Sequence, residues 1–184
     1  MEEKNPERKP TRVKNYDYSS VGEYFITICT KNRAEILCNI VGGDVLDAPN
    51  VGDGVLDAPK VGDGALDAPI KVKLLPYGEI AEKYIRQLND FYKEIKAENY
   101  VIMPDHIHIL LRITNGASRT SPPTRQHSSV SKYVSTFKRF CNKEYGENIW
   151  QESFFDHIIR NNEDYEEHIK YIHENPIKWY YMNK

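Results

Sequence analysis

Apolar and polar positions along the chain fall into a small set of periods. Residues 24–31, YFITICTK, are rich in β-branched and aromatic side chains and predict a first strand. Ile80, Ala81, Tyr84, Ile85, Leu88 and Phe91 recur at helical spacing, predicting a helix from the Leu74-Leu75-Pro76 lead-in to about Tyr92. Residues 95–103 predict a second strand. Asp105 then turns the chain into a third, residues 106–113, with Ile107, Ile109, Leu111 and Ile113 on one apolar face. Val130, Tyr133, Val134, Phe137, Phe140, Cys141 and Tyr145 define a second helix, and Gly146 suits the position after its last turn. Residues 149–159 read as partly strand. Tyr165, Ile169 and Ile172 form a stripe at i, i+4 and i+7 on a third helix. Asn162 is its expected N-cap, Glu163 and Asp164 suit the positive end of its dipole, and Pro176 is expected to stop it.

The order β-α-β-β-α-β followed by a helix predicts an α+β, ferredoxin-like (RRM-like) fold. Its antiparallel sheet would have helices on one face, with the 106–113 strand central and its polar side on the open face. Two segments break the pattern. Residues 41–70 are three copies of a ten-residue unit, VGGDVLDAPN, VGDGVLDAPK and VGDGALDAPI. Gly, Asp and Pro exclude helix there and favour turns, so the repeat reads as a copied loop insertion. Its Gly-Asp-Gly pattern is shared with calcium-binding repeats, which need more copies and regular stacking. Residues 114–128, rich in Ser, Thr and Pro, read as a flexible linker. The 184 residues therefore predict one domain, 1–184, carrying both segments.

No run approaches the ~20 apolar residues of a membrane span, and the polar stretch Met1–Lys14 has no signal-peptide core. Cys29, Cys38 and Cys141 are odd in number and lack metal-finger spacing, which fits a reduced, cytoplasmic protein. Cys29 and Cys141 fall in apolar patterns and are expected in the core. The net charge of −2 conceals a contrast, because the repeat holds six acids and one base. Outside it, 24 Lys and Arg stand against 21 Asp and Glu. Arg8, Lys9, Arg12 and Lys14 form a basic arm. Lys132, Lys138, Arg139 and Lys143 share the second helix, where they are candidate phosphate contacts or an ordinary solvated face.

The chemistry concentrates in two places. In Pro104-Asp105-His106-Ile107-His108, alternation along a strand puts both imidazoles on one side, roughly 7 Å apart along the backbone. Two imidazoles on a rigid sheet can hold two cis positions of one metal ion. A half-buried strand with two polar residues on its wet face shows the same pattern. Near the C-terminus, Tyr171 lies off the buried stripe with Asn175 one turn later on the same face. They fit a nucleophile and a third metal ligand, or a surface tyrosine with an Asn near a helix end.

Several further blocks join these two: Asn15-Tyr16-Asp17-Tyr18-Ser19 leading into Tyr24–Arg33, Ile149-Trp150-Gln151, Phe155–Arg160, and Asn175-Pro176 after Tyr171-Ile172. Together they make the chain resemble the single-tyrosine HUH transposases, in particular the branch with the REP-associated tyrosine transposases. The resemblance implies that His106 and His108 bind Mg²⁺ or Mn²⁺, with Asn175 as a third ligand. It implies that the partner is single-stranded DNA with hairpin ends, and that Tyr171 attacks a phosphodiester of it and becomes joined to the 5′-phosphate. The freed 3′-hydroxyl can then reverse the step on another end. A homodimer is one assembly the resemblance implies, a monomer another.

A tyrosine of pKa about 10 needs help at neutral pH. His157 and Glu174 are the candidate proton handlers, while His168 reads as a solvated side chain. Tyr16, Tyr18, Tyr180 and Tyr181 are candidates for base stacking or packing; Trp150 is expected in the core. The rivals are a non-catalytic RRM-like nucleic-acid-binding module, a relaxase or replication-initiator HUH nuclease, and a metal-dependent hydrolase using water. The first lacks its Lys/Arg-Gly-Phe-like run here. The second often carries its tyrosine before the histidines.

Overall fold

The structure, a computed structural model, describes residues 17–43, 68–114 and 128–183. The basic arm, Tyr16, the interior of the repeat (44–67) and residues 115–127 lie outside the described residues. The elements in chain order are β1 (Gly22–Cys29), β2 (Cys38–Gly43), β3 (Ala68–Leu74), α1 (Pro76–Phe91), β4 (Ile95–Ile102), β5 (His106–Ile113), α2 (Ser129–Tyr145), β6 (Phe155–Ile159) and α3 (Asn162–Met182). A four-stranded sheet runs β4-β5-β1-β6, every neighbouring pair antiparallel. With the β2–β3 ribbon set aside, this is the ferredoxin-like arrangement, and the histidine strand is central.

Alternation along β1 and β5 sorts the two sheet faces. Tyr24, Ile26, Ile28, Ile107, Ile109, Leu111 and Ile113 join Ala81, Ile85 and Leu88 of α1 and Val130, Tyr133, Val134 and Phe137 of α2 in the main core. Each fully buried aliphatic side chain there contributes about 1.5–3 kcal/mol. Trp150 and Tyr18 belong to this core, so Tyr18 packs rather than displays its ring. All three cysteines are buried and unpaired. Ser128 caps α2 by accepting from the Ser131 N–H, and Gly146 ends it at φ 78°, in the left-handed region glycine tolerates.

The second face is not open. α3 lies across it, with Ile172 in a small cluster with Phe25 and Leu110, flanked by Val101, Ile159, Tyr165 and Ile169. This corrects the wet-face expectation: β5 is buried on both sides, and His106 and His108 are only 8% and 5% exposed.

Three local expectations also change. The N-cap of α3 is Asn161, whose side chain accepts from the Asp164 N–H at 2.8 Å, one residue before the expected Asn162. Pro176 does not stop α3, which continues to Met182. Proline removes the bond to the Ile172 carbonyl, but Ile172 and Asn175 are buried against the body and packing outweighs that local cost. The ends of the repeat, expected as loop, pair as the antiparallel β2–β3 ribbon. Tyr180 of α3 packs directly over Gly42 of this ribbon, leaving no room for a Cβ there. No helix among the described residues is long and apolar enough to cross a membrane.

Candidate metal and tyrosine site

The site is built from β5, its neighbour β1, and the helix laid over both. His106 and His108 project from β5 toward α3, and their Nε2 atoms are 3.0 Å apart. The other ring nitrogens are occupied. His106 Nδ1 lies 2.5 Å from Asp105 Oδ1, and His108 Nδ1 lies 2.8 Å from Thr27 Oγ1 on β1. Asp105 is anchored in turn: its Oδ2 accepts from Arg33 at 3.1 Å, and its carbonyl accepts from the Thr30 N–H and hydroxyl. The loop delivering Arg33 is strained, with Asn32 and Arg33 at φ 54° and 55°.

Burial, opposed by the Asp105 hydrogen bond, lowers the pKa of His106. Burial and then the proximity of His106 lower His108 to about 3. Both imidazoles are therefore neutral near pH 7. With each Nδ1–H donated to its oxygen partner, two Nε2 lone pairs face one another. Adjacent octahedral ligands at ~2.1 Å from a cation stand ~3.0 Å apart, so this separation suits two cis positions on one divalent ion. Nδ1 partners that hold the rings in place are the usual outer support of such ligands.

α3 supplies the remaining groups in one row at four-residue spacing. The Tyr171 ring lies 5.2 Å from the His108 ring, nearly edge-on. The Trp179 ring lies 6.1 Å from that of His106. Asn175, midway between them on the same helical row, is only 8% exposed. Tyr171 remains 42% exposed. Phe25 organises the cluster from β1, with its ring 5.0 Å from His108, 6.0 Å from Tyr171 and 4.6 Å from His168. Lys178 Nζ stands 5.8 Å from the centre of the Tyr171 ring and 2.9 Å from Glu174.

The structure thus brings His106, His108 and Tyr171 together within one chain, with Asn175 buried one turn after Tyr171. The other candidates have no direct side-chain contact with them among the described residues. Glu174 is held by Lys178, which lowers its pKa, with Lys170 adding to the effect. His157 bonds Asp164 at 2.9 Å and meets the cluster only through His168 and Phe25. α2 packs on the opposite face of the sheet. Lys132, Arg139 and Lys143 are exposed there, whereas Lys138 donates to the carbonyls of Gln151, Glu152 and Ser153. Sequence reasoning missed Thr27, Phe25, Arg33, Lys178 and Trp179. Only Lys178 and Trp179, about two turns beyond Tyr171 on its own helix, carried a periodic signal.

A family model described as "Transposase IS200 like" matches residues 76–175, a span containing His106, His108, Tyr171 and Asn175. The chain belongs to the IS200-like transposase family. The chain is 24% identical over 188 residues to an uncharacterised protein of Haemophilus influenzae, covering 94% of this chain and 89% of that one. It is 31% identical over 102 residues to the REP-associated tyrosine transposase of Escherichia coli, an alignment spanning 55% of each chain. A solved REP-associated tyrosine transposase bound to a REP hairpin superposes with a TM-score of 0.55 at 19% identity. That match covers 91% of this chain and 73% of the other, and shows the shared fold of this transposase family.

Proposed function

We propose that this IS200-like transposase cleaves and rejoins single-stranded DNA through a covalent link to Tyr171, with a divalent ion held by His106, His108 and Asn175. One observation carries the reading: Tyr171 packs 5.2 Å from His108 in the same chain as the paired Nε2 atoms. The hairpin bound by the structural relative and the name of the Escherichia coli relative supply the substrate class.

The Tyr171 oxygen attacks phosphorus and the bond to the 3′-oxygen breaks. The phenol proton is transferred, in net terms, to that leaving oxygen. The products are a 5′-phosphotyrosine and a free 3′-hydroxyl, and reversal on another 3′-hydroxyl rejoins DNA without an external energy source. Bound Mg²⁺ or Mn²⁺ supplies charge neutralisation at a non-bridging phosphate oxygen. The Phe25 ring packs edge-on to Tyr171, Ile172 anchors the helix to the sheet, Lys178 offers a positive charge beside the phenol, and burial keeps bulk water off the histidine pair. The non-catalytic RRM-like reading would use an open sheet face, and here α3 covers that face. The relaxase-type order is disfavoured because Tyr171 follows the histidines.

Labelled single-stranded DNA carrying hairpins that flank the gene tests the proposal, incubated with the protein and Mn²⁺. A denaturant-resistant protein–DNA band is expected, absent with Tyr171→Phe and with EDTA. Strand cleavage that persists in Tyr171→Phe without a band would show a hydrolase using water.

A further inference from the structure

We propose that His157, Asp164 and His168 form a second cation site, suited to a transition metal of the Zn²⁺ class, that ties the tyrosine helix to the edge of the sheet. His157 comes from β6, the edge strand, while Asp164 and His168 sit one turn apart on α3. One ligand atom from each residue lies within 4.8 Å of the other two. His157 Nε2 is 2.9 Å from Asp164 Oδ1, and His168 Nδ1 is 3.2 Å from the same oxygen. Donor atoms at ~2.0–2.1 Å from a tetrahedral Zn²⁺ are ~3.3 Å apart. Two edges of the ligand triangle therefore already approach the size such an ion requires.

The donor set decides the class of metal. Two imidazoles and one carboxylate match Zn²⁺ and its neighbours in the transition series, with a fourth position left for water. Mg²⁺ prefers oxygen donors. Asp164 is preset as a ligand, since its Oδ2 also accepts the Arg160 N–H at 3.0 Å. His168 rests on the Phe25 ring, and without an ion its Nδ1–H is donated to the Asp164 carbonyl at 2.7 Å, a bond that must break for Nδ1 to ligate. To ligate, each neutral imidazole must carry its proton on the nitrogen that does not face the ion. The two rings now stack at 4.7 Å with 17° between their planes, so both must turn for their lone pairs to converge. His157 can turn, because its side chain is 47% exposed on an edge strand. His168, at 20%, must turn on the Phe25 ring far enough to free Nδ1 from the Asp164 carbonyl.

This site is separate from the pair on β5: Phe25 stands between them, 4.6 Å from the His168 ring and 5.0 Å from the His108 ring. An ion here would fasten β6 to the first half of α3, less than one turn before Tyr171. It would stabilise the docked helix without touching the reacting groups.

The test uses tag-free full-length protein stripped with chelator and titrated with Co²⁺ as a visible-absorption probe. Folding of each variant is checked by circular dichroism. The His106→Ala/His108→Ala variant is expected to keep one Co²⁺ with four-coordinate absorption, displaced by Zn²⁺ and raising the melting temperature. The His157→Ala/His168→Ala variant is expected to bind one equivalent fewer than wild type. The proposal is overturned if the folded His106→Ala/His108→Ala variant gives no such spectrum. Should that variant not fold, equal stoichiometry in wild type and His157→Ala/His168→Ala overturns it by itself. Covalent capture of DNA is read separately, so failure here leaves the Tyr171 chemistry standing.

Discussion

Replacing Thr27 by Val isolates the contribution of one buried oxygen to the paired imidazoles. Val keeps the β-branch that suits β1, so strand formation is undisturbed. What is lost is the 2.8 Å bond from Thr27 Oγ1 to His108 Nδ1, at a histidine only 5% exposed. A buried N–H left without a partner costs about 1–3 kcal/mol, and in a domain of this size each kcal/mol moves the melting temperature by about 2–4 °C. The ring also loses what fixes its tautomer, and removal of such a support costs about 10–100-fold in metal affinity. Calorimetric Mn²⁺ titration and thermal unfolding of the metal-free protein read the two effects separately. Thr27→Ser keeps the oxygen and is expected to retain most of both. Wild-type affinity and melting temperature in Thr27→Val, or an equal loss in Thr27→Ser, would refute the argument that this hydroxyl orients His108.

Stability should depend on pH with a definite sign. The unfolded chain protonates His108 near 6.5, whereas the folded one resists until about 3, so metal-free stability falls with pH below 6.5 by about 1.4 kcal/mol per unit. Urea unfolding between pH 7.5 and 5 measures this, and His108→Gln should flatten the slope. Lys138→Met should cost about 1–3 kcal/mol in unfolding, because three loop carbonyls lose their donor. It should leave the salt dependence of DNA binding unchanged; a shallower slope would place Lys138 on a phosphate. Gly78→Ala should destabilise by about 1–3 kcal/mol in thermal unfolding, since the new methyl would strike the Leu37 carbonyl that receives the Leu75 N–H at 2.9 Å.

β5 could be read from sequence because alternation over Ile107, Ile109, Leu111 and Ile113 is a local signal, and α1 and α2 followed from their helical stripes. The third layer was harder. The stripe Tyr165, Ile169, Ile172 marked a face of α3 but not which sheet face it would cover, so the histidines were expected wet and are buried. Pro176 misled for the same reason: its local cost is visible in the sequence, while the packing of Ile172 and Asn175 that offsets it is not. The β2–β3 ribbon pairs the two ends of the repeat and the residues flanking them, and nothing short-range announces such pairing. At the site, His106, His108, Tyr171 and Asn175 sit in short spacings that chemistry makes conspicuous. Thr27 and Phe25 reach them by cross-strand register and by folding of α3 onto the sheet, which no window of neighbouring residues contains.

The central claim is a bond between DNA and one phenol oxygen. The most direct measurement is mass spectrometry of the protease- and nuclease-digested product formed from single-stranded hairpin DNA with Mn²⁺. The account predicts a nucleotide mass on the peptide that contains Tyr171 and nowhere else. An adduct on a different residue, or strand breaks with no modified peptide, would contradict it.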